Sequence, residues 1–176
     1  MHAWRRGARE SRITPELKEF IEAQTSVFLA TARAAGQPHI QHRGGSAGFL
    51  HVLDEQTIGF VDFAGNRQFI TVRNLAEDPK ARLFLIDYAQ QPRVKLWGKA
   101  RAVEGDAELT GRLMSEGCKP RAEQLILFSV VAWDANCPQQ IPQRFDAADV
   151  AAAITQRDRR IEALESEIMA LRSSPK

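Results

Sequence analysis

The sequence predicts a mainly β protein, a β-barrel with flanking helices. Three observations predict it. Short apolar runs bounded by turn residues recur along the chain, few helix-period segments interrupt them, and neither a regular strand–helix alternation nor a GxGxxG turn is present to suggest a doubly wound parallel sheet. At 176 residues, 44% hydrophobic and 26% charged, the chain is long enough to bury one substantial core.

Thr14-Pro15-Glu16 opens the first element: Thr14 can cap a helix, and Pro15 suits the first helical position, where a missing N–H costs nothing. Leu17, Phe20 and Ile21 follow at helical spacing. Ser26 to Arg33 (SVFLATAR) reads as a strand, and Ala35-Gly36-Gln37-Pro38 turns into a second strand that runs through His42. Gly48 to Leu53 and Thr57 to Asp62, joined by the polar turn Asp54-Glu55-Gln56, make another hairpin. Ala64-Gly65-Asn66 breaks the strand pattern. Phe69, Ile70, Val72, Leu75 and Ala76 then predict a helix ending before Asp78-Pro79, because a residue ahead of proline disfavours helical backbone.

Ala81 to Tyr88 and Arg93 to Glu104 read as strands around the turn Ala89 to Pro92. In the second, Val94, Leu96, Gly98, Ala100 and Ala102 alternate with Arg93, Lys95, Trp97, Lys99 and Arg101, which gives one apolar and one largely cationic face. Asp106 to Glu116 predicts a helix. Gln124 to Trp133 (QLILFSVVAW) predicts a strand apolar on both faces, as a buried barrel strand is, and brings the count to about seven.

Beyond the loop Asn136 to Arg144, Ile154, Ile161 and Ile168 recur every seven residues, with Leu164 and Leu171 in the seam between them. A C-terminal amphipathic helix is expected, too short for an independent coiled coil, that docks on its own barrel or pairs with a second subunit. The expected organisation is a flexible basic tail over 1–13, the barrel domain over 14–146 and the C-terminal helix over 147–176.

A net charge of +2 gives no general pull toward polyanions, and the Arg5, Arg6, Arg9 and Arg12 cluster is either a solvated tail or a polyanion contact. No apolar run approaches the roughly 20 residues that span a bilayer, so a cytoplasmic protein is expected, with no membrane or nucleic-acid partner. Cys118 and Cys137 lack CxxC spacing and nearby histidines, which points to reduced thiols and no metal site.

Gly65-Asn66-Arg67 ahead of a helix is the most informative local feature. A helix N-terminus offers unpaired N–H groups, Arg67 adds a planar fork for phosphate oxygens, and Thr71 lies one turn on; an ordinary helix entry is the alternative. His39, Gln41 and Arg43 share one strand face, with Ile40 and His42 on the other, so His39 and His42 cannot share a metal. Gly44 and Gly45 would admit a flat ligand or mark a bulge. Trp97 and Lys95, and Trp133 with Asn136 and Arg144, either line an aromatic ligand or belong to core and interface. No Ser-His-Asp order, HExxH or Walker loop occurs, so any reaction here needs a cofactor.

Taken together, SVFLATARAAGQPHIQHRGG, FLHVLDEQTIGFVDFAGNR, NLAEDP, ARLFLIDY, RVKLWGKA and WDANCPQQIPQR resemble the pyridoxamine 5′-phosphate oxidase-like family of FMN-binding split barrels over roughly residues 14 to 146. The resemblance implies a homodimer with FMN at the subunit interface and a small-molecule substrate or nicotinamide. It implies that His42, Arg43 and Gly44 meet the flavin, that Val61 and Asp62 run along its ring, and that Asn66 and Arg67 hold its phosphate. It places Arg93 and Lys95 as polar contacts from a barrel strand, and the Trp133 to Arg144 loop as an approach from the partner. Pyridoxamine phosphate oxidising members carry a lysine where this chain has Leu50 or His51, and a second basic residue where it has Gln68. The resemblance therefore implies an FMN-binding branch with another substrate. The rival readings are a non-catalytic flavin sensor or carrier, and a same-fold enzyme using deazaflavin or haem.

Overall fold

The computed structural model describes residues 10–63, 69–114, 122–136 and 139–173. In chain order its elements are α1 (Pro15–Glu22), β1 (Ser26–Ala32), β2 (Pro38–Gly44), β3 (His51–Val52), β4 (Thr57–Phe63), α2 (Ile70–Glu77), β5 (Lys80–Ile86), β6 (Arg93–Val103), α3 (Ala107–Leu113), β7 (Ala122–Asn136) and α4 (Ala147–Ser173). The strands form one seven-stranded sheet in the order β2-β1-β5-β6-β7-β4-β3. Every pairing is antiparallel. The sheet curls into a split barrel.

Period-two alternation sets the inner face. Val27 and Leu29 of β1, Leu83 and Leu85 of β5, and Val94 and Leu96 of β6 are fully or almost fully buried in one core with Phe60 and Phe128. The first half of β7 is buried on both sides because it serves two cores. Ile126 and Phe128 face the main one, while Leu125 joins Val61 and Leu113 in a smaller cluster packed by Leu109 and Met114. The alternating face expected on β6 is present, with a register shift between Trp97 and Gly98.

Helix α1 begins as its residues dictate: Thr14 Oγ1 accepts from Leu17 N at 3.2 Å, Pro15 occupies the first turn, and Leu17 and Ile21 are fully buried. Removing that cap in Thr14→Ala is expected to cost about 1 kcal/mol, read as a lower urea midpoint with an unchanged slope. Two sequence expectations need correcting. Residues 10–13, assigned to the flexible tail, are tied to the sheet. Trp133 N donates to Glu10 O at 2.9 Å, Trp133 Nε1 to Arg12 O at 2.8 Å and Ile13 N to Glu55 O at 2.7 Å. Ile13 is buried, and Arg12 pairs with Glu55 at 3.0 Å. Of the two readings left open for Gly44, a bulge is not observed there: its pairing with Ser26 continues the unbroken register of β1 and β2. The strand expected over Gly48 to Leu53 is reduced to β3, since Gly48 N donates to Glu22 O and Phe49 N to Ser46 O in a turn.

The chain divides into two compact units, one of residues up to Asp87 with Gln91–Gln140, the other of Tyr88–Gln90 with Ile141–Lys176. In the second, Gln143 Nε2 donates to Ala89 O at 2.8 Å and the Arg144 guanidinium lies 4.9 Å from the centre of the Tyr88 ring. Helix α4 buries none of its residues, and its seam of Ile154, Ile161, Leu164, Ile168 and Leu171 is exposed. Among the described residues no helix is long and apolar enough to cross a membrane.

Candidate functional site

The polar face of β2 is the most unusual part of the barrel. Arg43, Gln41 and His39 stand opposite Val27, Leu29 and Thr31 of β1, so they lie on the side of the sheet that is apolar elsewhere. Each must find polar partners there, because an unpaired buried polar group costs about 1–3 kcal/mol. Helix α2 supplies one partner to β2 and one to the neighbouring β1. Thr71 Oγ1 donates to Gln41 Oε1 at 2.8 Å, and Asn74 Nδ2 donates to Thr31 Oγ1 at 3.0 Å. This explains why α2 turns Thr71 and Asn74 inward with Leu75, while Phe69 and Ile70 remain exposed.

At the other end of the face, Arg43 meets Asp62 of β4. Arg43 Nη2 donates to Asp62 Oδ2 at 3.1 Å, and Arg43 Nε lies 2.9 Å from Oδ1. Gln124 Nε2 of β7 donates to the same carboxylate at 3.2 Å. Strands β2 and β4 sit near opposite ends of the sheet order, so this ion pair spans the split of the barrel. Both side chains are largely withdrawn from water, at 15% and 12% exposure, which keeps their attraction unscreened.

On the outer surface the registers align His42, Phe28, Phe84, Lys95 and Asp134 in a single row across five strands. His42 packs edge-on against Phe28 with ring centres 5.5 Å apart, and Phe28 and Phe84 lie 6.4 Å apart. Arg93 begins the same face of β6, opposite Ile86 and Asn136. Its Nε is buried and has no hydrogen-bond partner among the described residues.

The expected site residues thus separate. Arg43, Asp62 and Thr71 gather on the inner side of β2 and α2. His42 and Lys95 share the outer row, with Arg93 two residues from Lys95. Gly44 ends β2, and the neighbouring Gly45 has a clear steric reason, since a Cβ there would lie 2.6 Å from that of Phe49. Val61 points into the smaller core, which leaves only its backbone for a ligand. Trp133 belongs to the main core, so the core reading of that residue applies within the chain. Arg144 is held by Tyr88 in the second unit. Asn66, Arg67 and Gln68, the side chain of Asn136, Cys118 and Cys137 lie outside the described residues, as do Arg5, Arg6 and Arg9.

Sequence reasoning singled out neither Gln124 nor Asn74. The signal for Gln124 was available, because a lone amide opening an otherwise apolar barrel strand needs a buried partner. Asn74 carried no such signal: a polar residue in a helix ordinarily faces water.

The model of the pyridoxamine 5′-phosphate oxidase family matches residues 13–136. No curated protein matches the chain by sequence. Among solved structures, HupZ of Group A Streptococcus is similar at 18% identity and a TM-score of 0.54, covering 76% of this chain and 99% of its own. An FMN-binding protein from Syntrophomonas wolfei is 15% identical with a TM-score of 0.52, covering 69% of this chain and 87% of its own. A protein from Clostridium acetobutylicum related to general stress protein 26, of the pyridoxinephosphate oxidase family, is 17% identical with a TM-score of 0.51, covering 69% and 85%. At these identities the likeness is one of fold.

Proposed function

Since the chain belongs to the pyridoxamine 5′-phosphate oxidase family, we propose that it is an FMN-dependent oxidoreductase, working in the cytoplasm as a homodimer with the flavin at the subunit interface. The observation that carries this reading is the Arg93 Nε, a buried N–H donor with no hydrogen-bond acceptor among the described residues. A charged donor left unpaired is costly, and the oxygen-rich edge of a flavin supplies what it lacks. The row of His42, Phe28 and Phe84 supports the same reading: His42 is exposed and the two phenylalanines are half-buried, which leaves an aromatic surface that a ring and a second subunit can cover.

When bound, FMN would supply the hydride chemistry that no side-chain constellation here provides. The chain's own part is to bind and tune. Arg67 with Asn66 would hold the phosphate, and Arg93 and Lys95 would place positive charge near the ring. Arg43 brings little net charge, because Asp62 balances it; its role would be to orient rather than to attract. The substrate is proposed to be a small molecule other than pyridoxamine phosphate, with a nicotinamide as the reductant. Leu50 is fully buried and His51 Nε2 is bound to the Leu113 carbonyl at 3.2 Å, so neither offers the free cation that the oxidising members place there.

The purified protein is expected to be yellow, to release FMN identified by mass spectrometry, and to sediment as a dimer. Arg67→Ala should weaken FMN binding by about 1.5–3 kcal/mol, or roughly 10- to 150-fold in Kd, measured by quenching of flavin fluorescence. A colourless monomer that takes up no added FMN would overturn the proposal. Flavin that binds but stays oxidised with nicotinamides under anaerobic conditions would identify a carrier instead.

A further inference from the structure

A cavity opens at the far end of the β2 face, between the β1–β2 hairpin and α2. Its volume is about 720 Å³. The floor is polar and the rim is cationic and apolar. Asn74, 1% exposed, lines it with a side-chain amide that has one partner among the described residues: Nδ2 donates to Thr31, and Oδ1 has none there. Exchanging the amide oxygen and nitrogen would not remove the problem, because Thr31 can serve only one of the two atoms. His39 lines the same cavity, and its Nε2 is also buried without a partner among the described residues.

Arg33 and Arg73 stand at the rim, exposed and free of described ion pairs, beside Phe69 and Ile70. Phe69 has a φ of 43°, in the left-handed region that bulky residues rarely adopt, and is 55% exposed. The hydrogen bond between Thr71 and Gln41 stands between this cavity and the Arg43–Asp62 pair.

Two orphaned polar atoms at the bottom of a cleft ask for complementary groups, and two guanidinium forks at its mouth match carboxylate or phosphate oxygens. We propose that this cleft is a ligand site separate from the flavin site, for a small organic anion that carries a hydroxyl or N–H donor beside its charged group. The donor would satisfy the Asn74 amide, His39 would bond the same polar end in whichever tautomer suits it, and Arg33 and Arg73 would hold the charge. Phe69 and Ile70 would cover the apolar part.

The test is an NMR titration of the full chain, with and without added FMN, that follows the Asn74 side-chain amide and the His39 ring. Malate probes for a carboxylate ligand and glycerol 3-phosphate for a phosphate. Succinate is the comparison that lacks the hydroxyl. We expect saturable shifts of both side chains with malate or glycerol 3-phosphate, and the one that binds names the anion. For a carboxylate site, succinate should bind about tenfold more weakly than malate. Arg73→Ala should lower affinity by about tenfold while leaving the melting temperature unchanged, because the side chain is exposed.

No saturable shift with either anion would overturn the proposal, as would undiminished affinity in the Arg33→Ala/Arg73→Ala double variant. So would FMN that moves the same resonances and displaces the probes, because the cleft would then belong to the flavin site. Probe binding to protein that takes up no FMN would leave this inference standing while the flavin reading failed.

Discussion

Asp62→Ala is expected to cost the fold about 3–5 kcal/mol, the range found when one partner of a buried ion pair is removed. The carboxylate receives Arg43 Nη2 at 3.1 Å and Gln124 Nε2 at 3.2 Å, and holds Arg43 Nε at 2.9 Å. Without it, a guanidinium only 15% exposed has lost its counter-charge, and the Gln124 amide loses its acceptor. The loss is one of geometry as well as charge, because this contact joins β2 to β4 across the open side of the sheet. Urea denaturation followed by circular dichroism would read it as a fall in midpoint. Replacing both partners, Arg43→Met with Asp62→Leu, should recover most of the stability, since no charge then remains to be desolvated. A single variant within about 1 kcal/mol of the parent would show that Arg43 escapes to water and that the pair does not close the barrel.

Gly98→Ala should be nearly as damaging. A Cβ at this position would lie 2.1 Å from the carbonyl oxygen of Ser129 and 2.7 Å from the Phe128 ring. Neither can give way easily. Ser129 O belongs to the backbone of the paired strand β7, and Phe128 is fully buried. Relief requires separating β6 from β7 at the point where their register shifts, so a loss of about 3 kcal/mol is expected, at the upper end for overpacking. Gly111→Ala is the natural comparison: a Cβ there meets nothing within 4 Å, and the residue sits inside α3. That substitution should raise stability by about 0.5–1 kcal/mol. Equal melting temperatures for the two variants would refute the steric account of Gly98.

The strands were legible because alternation is a local signal. Val94, Leu96 and Ala100 had to share a face whatever the rest of the chain did. The Thr14-Pro15 start was legible for the same reason, since a cap acts within one turn. Residues 10–13 were misread because their sequence is polar and basic, and what holds them is long-range contact with Trp133, Glu55 and Gln56. Gly44 and Gly45 stayed open between a flat-ligand approach and a bulge because a glycine pair looks the same whether it serves backbone strain or makes room for a neighbour, here Phe49 against Gly45. For the site, the common face of His39, Gln41 and Arg43 was visible in the residue spacing, and Arg67 was marked by its place after a glycine turn.

By itself, then, the sequence determined the seven-strand, mainly β class, the element order, the family resemblance and the polar stripe on β2. Each of these follows from neighbours within a few residues or from the order of motifs. Only the tertiary structure decided which of the polar groups meet. Arg43 and Asp62 are 19 residues apart, and Asn74 and Thr31 are 43 apart. Their contacts depend on how far the sheet curls and on how α2 is turned against it. Those quantities are set by packing the whole core at once, and no local stretch of sequence encodes them.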